Sequence, residues 1–222
     1  LLLEGRGDPF LVTERAWQLL RQIRQAGIRE ITGDLLLDDS YFDVAEHDPA
    51  AFDRQPLRAY NVAPNALMMN FKVVRFWFEP DHDTNRVRVW LDPALDNLEI
   101  DNRLVIVSRA CRGYQRGITI LAKDAMDTIS LTGKFPSGCE RYRMDRTALS
   151  HNAFAFGLFS YLWRESGGKI SGGCAVITVE KYSSDVELHR IPYSATAVTE
   201  EIKKQRLPLI YVEMFLRGRK LN

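Results

Sequence analysis

Hydrophobic and polar positions alternate between two periods along this chain. Near the start, Asp8-Pro9 marks a turn, and Thr13 stands where a helix N-cap is expected, with Glu14 in the first turn. Trp17, Leu20 and Ile23 then recur at helical spacing, which predicts one buried face. Gly27 is placed to stop that helix as its C′ residue. Ile31 to Leu37 reads as a short apolar strand interrupted only by Thr32-Gly33-Asp34. The stretch from Asp38-Asp39-Ser40 to Pro56 is acidic and loop-like.

From Asn65 the period changes to two. Lys72–Phe78, Arg86–Leu91, Arg103–Ser108, Gly117–Leu121, Met126–Thr132 and Glu140–Asp145 are alternating or β-branched. Turn signals such as Pro80-Asp81, Asp92-Pro93 and Pro136-Ser137-Gly138 separate them. Strands at this spacing predict a small sandwich or a curled sheet. Helical periodicity returns over Thr147–Ser166, with Phe154, Leu158, Tyr161 and Leu162 on the apolar face and Gly167-Gly168 as the stop. Cys174–Tyr182 reads as a strand. The sequence from Glu200 is helical in composition, interrupted by Pro208. The class is therefore α+β.

Composition narrows the function by exclusion. Thirty basic and 29 acidic residues give a net charge of +1, which leaves no basic footprint for nucleic acid and no polybasic membrane anchor. No apolar run reaches the roughly 20 residues that span a bilayer, and no signal peptide is visible. The chain opens on Leu1 rather than Met, the expectation for a mature product or an excised piece.

Candidate chemistry is sparse. His47, His82, His151 and His189 are scattered, without i, i+4 spacing, so no metal or cofactor site is expected. Asp38-Asp39 and Asp81/Asp83 lie in turn sequences, where carboxylates cap or are solvated. Gly5-x-Gly7 lacks the strand–glycine–helix context of a dinucleotide site. Ser166-Gly167-Gly168-Lys169 matches S-x-x-K and Ser150-His151-Asn152 matches S-x-N, the letters of a serine acylase. Their order is reversed, however, and the first falls at a predicted helix end. Cys111, Cys139 and Cys174 form no C-x-x-C pair. Their spacing leaves two readings open: three buried thiols, or a Cys111–Cys139 disulfide in an oxidising compartment.

Several phrases together carry a resemblance. They are Gly5-x-Gly7-Asp8-Pro9-x-Leu11, Gly33-Asp34-Leu35-x-Leu37-Asp38-x-Ser40-x-Phe42, Tyr60-Asn61-Val62-Ala63-Pro64-Asn65, Leu131-Thr132-Gly133-x-x-Pro136-x-x-Cys139 and Leu162-Trp163-Arg164-Glu165-x-Gly167-Gly168. In combination, over about residues 1–175, the chain resembles the class C low-molecular-mass penicillin-binding proteins, the serine D-Ala-D-Ala carboxypeptidase/endopeptidase family. The resemblance implies accessory domains inserted into a transpeptidase domain: a small αβ unit (1–58), a β-rich unit ending in a helix (59–173) and a partial re-entry into the transpeptidase domain (174–222). It implies peptidoglycan stem peptides and penicillins as partners of the full-length relative, a periplasmic or otherwise extracytoplasmic location, and a disulfide between Cys111 and Cys139. It also implies that S-x-x-K lies upstream and K-T-G downstream of this chain, and that Arg206-Leu207-Pro208 stands where S-x-N belongs. No catalytic residue is thus expected here. A non-catalytic wall-binding or scaffold protein built from the same domains is the competing expectation.

Overall fold

A computed structural model of the chain describes residues 1–112, 117–122, 128–147, 149–171, 174–179 and 184–189, together with 200 and 203–204. The chain divides after His189 into two units. In the second, the described residues 200 and 203–204 are helical. The first unit holds everything that follows.

Its αβ part opens with strand β1 (Leu2–Glu4), helix α1 (Thr13–Gln25), and strands β2 (Glu30–Ile31) and β3 (Leu35–Asp38). Ile31 to Leu37 is thus two strands rather than the single one expected. Thr32-Gly33-Asp34 redirects the chain between two sheets. β2 pairs in parallel with β10 (Lys169–Ile170). β3 lies between β1 and β11 (Cys174–Val179), parallel to both, and β12 (Ser184–His189) completes the order β1-β3-β11-β12. Leu35 and Leu37, two apart and so on one face of β3, are buried, and Leu36 on the other face is half-buried.

The curled sheet of the β-rich part contains β4 (Val74–Asp81), β5 (Arg86–Asp92), β6 (Glu99–Ala110), β7 (Ile118–Ala122), β8 (Thr128–Gly138) and β9 (Tyr142–Arg146). Its order is β7-β8-β6-β5-β4-β9. The curl brings the two end strands together, because Ile118 and Ile120 of β7 and Met144 and Arg146 of β9 line one cleft with residues 55–58. Period-two alternation sorts its faces. Val74, Phe76 and Phe78 are fully buried, and Phe78 stacks on Phe135 and Tyr142 at 6.2 and 6.1 Å. On the opposite face Trp77 stacks on its cross-strand partner Trp90 at 6.0 Å, and Arg141 lies over both rings. β6 and β8 run in parallel to a last pair, Ala110 and Gly138. Just beyond it Cys111 and Cys139 form a disulfide, with Cα atoms 4.6 Å apart.

Helix α2 (His151–Glu165) fills the space between the parts. It packs against α1 and β3 and buries ten of its residues, from Ala153 to Trp163. It begins four residues later than its periodicity suggests. Thr147 instead donates its N–H to Leu57 O (3.0 Å), and Ser150 caps the helix by accepting from the Ala153 N–H at 3.2 Å.

Two details of α1 differ from expectation. Val12, not Thr13, occupies the cap and gives no side-chain bond. Trp17 is 42% exposed beneath Arg21, while Ala16 and Leu20 face the core.

Helix α2 ends in a Schellman motif. The Gly168 N–H donates to Trp163 O at 2.8 Å and the Gly167 N–H to Arg164 O at 2.9 Å, with Gly167 at φ 78°. A Cβ on Gly168 would drive into the Trp163 indole, whose Nε1 donates to Lys169 O at 2.9 Å. Gly168→Ala is therefore expected to lower stability by about 2 kcal/mol in urea denaturation through overpacking. Gly33→Ala, where the new methyl meets nothing, should stay within about 0.5 kcal/mol of the parent. Titration of thiols in denatured, unreduced protein should find a single reactive group, Cys174, among the three cysteines.

Candidate functional site

The first three of the signature phrases meet at one place. The Gly5 N–H donates to Asp38 O and the Gly7 N–H to Ala66 O, both at 2.8 Å. A Cβ on Gly5 would lie 2.5 Å from the Ala66–Leu67 backbone, so only glycine admits this crossing. Gly7 has φ 77°, and the Phe42 ring lies where its side chain would be. The acidic residues close turns. Asp8 Oδ1 accepts from the Phe10 N–H at 2.8 Å. Asp38 Oδ1 accepts from the Ser40 hydroxyl (2.7 Å) and N–H (3.0 Å), and these bonds hold its carboxyl below the usual range. Asp39 accepts from Asn65 Nδ2 at 2.5 Å, and Asn65 Oδ1 accepts from the Leu67 N–H.

A cleft of about 170 Å³ opens at this junction, lined by Gly7, Leu11, Phe42, Pro64, Met68 and Phe71 among others. Its wall includes an unusual backbone run. Asn70, Phe71 and Lys72 have φ of 46°, 53° and 57°, a conformation that costs each L-residue on the order of 1 kcal/mol or more. The Asn70 N–H, donating to Leu11 O at 2.8 Å, and the Asn70 side chain, donating to Val73 O at 3.0 Å, help hold the turn. Lys72, half-buried by this turn, has its pKa lowered by desolvation. His151, the first residue of α2, is pushed down to about 4 by burial and then by the Lys72 charge, against the opposing pull of Asp39 and a bond to the Ala63 backbone. The group therefore presents a neutral imidazole, a half-buried ammonium and a carboxylate beside an apolar cleft. That combination can orient a polar ligand, but it contains no serine to be acylated.

Over residues 1–191 the chain matches the model of the D-Ala-D-Ala carboxypeptidase 3 (S13) family. It belongs to that family. It is 27% identical over 196 residues to the D-alanyl-D-alanine carboxypeptidase of Actinomadura sp. (strain R39), covering 85% of this chain and 36% of that relative. Among solved structures it is similar to penicillin binding protein 4 from Haemophilus influenzae, with a TM-score of 0.62 and 15% identity over 99% of this chain and 49% of that one. The same protein complexed with a novel β-lactam gives a TM-score of 0.55 at 15% identity, over 85% of this chain and 40% of that one. This S13 chain therefore spans only part of each relative's length.

The acylase-like letters of this S13 chain have structural uses. Ser166 Oγ donates to Trp163 O at 2.7 Å, and Lys169 lies beyond the two glycines in β10, with its N–H bonded to Arg29 O. Ser150 is the cap of α2. Ser40, Ser130 and Ser171 donate to Asp38, Asp101 and Glu30. None of these hydroxyls is bonded to a lysine. His47 Nε2 meets Asn61 O at 2.8 Å, and Asp81 closes a turn through the Asp83 and Thr84 N–H groups. Among the described residues no group of His, Cys, Asp and Glu could hold a metal. The His189 side chain and Arg206-Leu207-Pro208 lie outside the described residues.

Sequence reasoning missed Lys72 and its coupling to His151. These residues are 79 positions apart, and no local spacing announces their meeting. Because the folded state holds His151 neutral to about pH 4, the unfolded chain binds its proton first as pH falls. Stability should decline between about pH 6.5 and pH 4. His151→Gln is expected to flatten that part of the profile in denaturation midpoints measured across the interval, and an unchanged slope would contradict the assignment.

Proposed function

We propose that this chain is the accessory portion of a serine-type D-Ala-D-Ala carboxypeptidase/endopeptidase and is catalytically silent by itself. The complete enzyme would hydrolyse peptidoglycan stem peptides through an acyl-serine and would be acylated by penicillins. The observation that carries the silent part of this reading is the placement of Ser166. Acylation requires a serine beside a lysine on the next helical turn and an oxyanion hole for the developing charge. Here the S-x-x-K letters straddle a helix terminus whose two glycines are both required for the stop.

In this reading residues 1–58, 59–173 and 174–222 are successive segments of the insertion and its exit, and the pairing of β11 with β3 ties the first segment to the third. The signature phrases serve as packing elements that present the Phe42–Phe71 cleft. The Cys111–Cys139 disulfide supports an oxidising, extracytoplasmic setting. Among the described residues no helix is long and apolar enough to cross a membrane.

Incubation of the 222-residue chain with a fluorescent penicillin should leave no covalent label on a denaturing gel. Label on Ser150 or Ser166 would overturn the silent reading and return those residues to the mechanism.

A further inference from the structure

The second cleft, of about 240 Å³, lies where the curled sheet nearly closes. Its apolar wall is Ile118 and Ile120 of β7, Met144 of β9, and Pro56 with Leu57 of the loop between them. Arg58 and Arg146, both half-buried, also line it. Two guanidinium groups side by side repel each other, and Arg146 is held below its ordinary value by burial and then by the Arg58 charge.

Neither arginine is neutralised by a carboxylate at ion-pair distance among the described residues. Arg146 Nη1 donates to Asp145 O (2.7 Å) and Arg58 Nε to Gln55 Oε1 (2.8 Å). Asp145 acts on Arg146 and Asp53 on Arg58 through space, and both carboxylates are hydrogen-bonded to other groups. Asp53 accepts from Tyr60 Oη (2.6 Å), Asn61 Nδ2 (2.8 Å) and the Gln55 N–H (2.9 Å). Asp145 accepts from Arg75 Nε at 2.9 Å.

Paired guanidinium forks match a carboxylate or phosphate, and the apolar wall calls for an apolar body attached to it. β7 and β9 are the end strands of their sheet. An extended backbone lying along such an end strand can add ladder hydrogen bonds, which a lipid or a simple phosphate ester cannot do.

We infer that this cleft binds the C-terminus of a peptide, with the α-carboxylate on Arg58 and Arg146 and an apolar last side chain against Ile118, Ile120 and Met144. This inference is independent of the hydrolase reading. Calorimetric titration of the full chain with N-acetyl-Ala-Ala-Leu is the test, alongside its C-terminal amide and hexyl phosphate. The free acid should bind saturably, and the amide at least about tenfold more weakly, because the charge-assisted bidentate contact is lost.

Arg146→Gln and Arg58→Gln should each weaken the acid but not the amide. Arg58→Gln, on the loop, serves as the readout if Arg146→Gln does not fold, as judged by circular dichroism. Equal binding of acid and amide, no saturable binding at millimolar peptide, or variants that bind like the parent would overturn the site. Hexyl phosphate binding more tightly than the peptide would overturn the choice of a peptide in favour of a phosphate ester.

Discussion

The architecture of the first unit depends on one close backbone crossing. Gly5 passes so near to Ala66–Leu67 that no side chain fits between them. Its neighbours bond in both directions, with Gly5 bonding back to Asp38 and Gly7 across to Ala66. These contacts join β1, the exit of β3 and the chain that feeds β4. The Phe42 ring lies against Gly7, and the left-handed turn at 70–72 bonds back to Leu11, beside this crossing. Such an approach replaces side-chain packing by backbone hydrogen bonds, which is why the positions are glycine.

A second constraint comes from helix α2. It is buried along most of its length and anchored at both ends. Ser150 closes the first turn, and the Schellman glycines close the last with the Trp163 indole bonded to the departing chain. The residues that look like catalytic letters are the ones doing this anchoring. Ser166 gives its hydroxyl proton to the Trp163 carbonyl, and the Ser150 hydroxyl accepts the Ala153 N–H; neither is bonded to a lysine that could act as its base. Family membership and catalytic competence rest on different residues of this chain. The family signature lies in backbone crossings and turns, whereas acylation needs a serine–lysine pair that none of the hydroxyls described above forms.

The β-rich part is completed by pairs across its strands and by a covalent staple. Its outer face is a Trp77–Trp90 stack roofed by Arg141 and bordered by the Arg75–Asp145 pair. Cross-strand aromatic and charge pairs of this kind contribute roughly 0.2–1 kcal/mol each and set register. The curl leaves its two end strands facing one another across the 55–58 loop, and the disulfide staples β6 to β8 just past their last paired residues.

By itself the sequence determined the α+β class, the presence of six strands in the β-rich part, both long helices and the family, although Pro80-Asp81 and Pro136-Ser137-Gly138, read as turns, lie within strands Val74–Asp81 and Thr128–Gly138. These rest on local periodicity, turn chemistry and contiguous motifs, all readable within a dozen positions. It misread Ile31–Leu37 as one strand, because a turn of three residues between apolar pairs looks like an interruption rather than a change of sheet. It placed Trp17 in the core, because periodicity names a face but not which of its residues are covered. Only the tertiary structure decided that β3 pairs with β11, about 140 residues later. The same holds for the meeting of Lys72 with His151 and of Arg58 with Arg146 beside the two sheet ends. The physical reason is common to all three. Each depends on long-range contacts whose partners are chosen by chain topology, and no local pattern of residues records that choice.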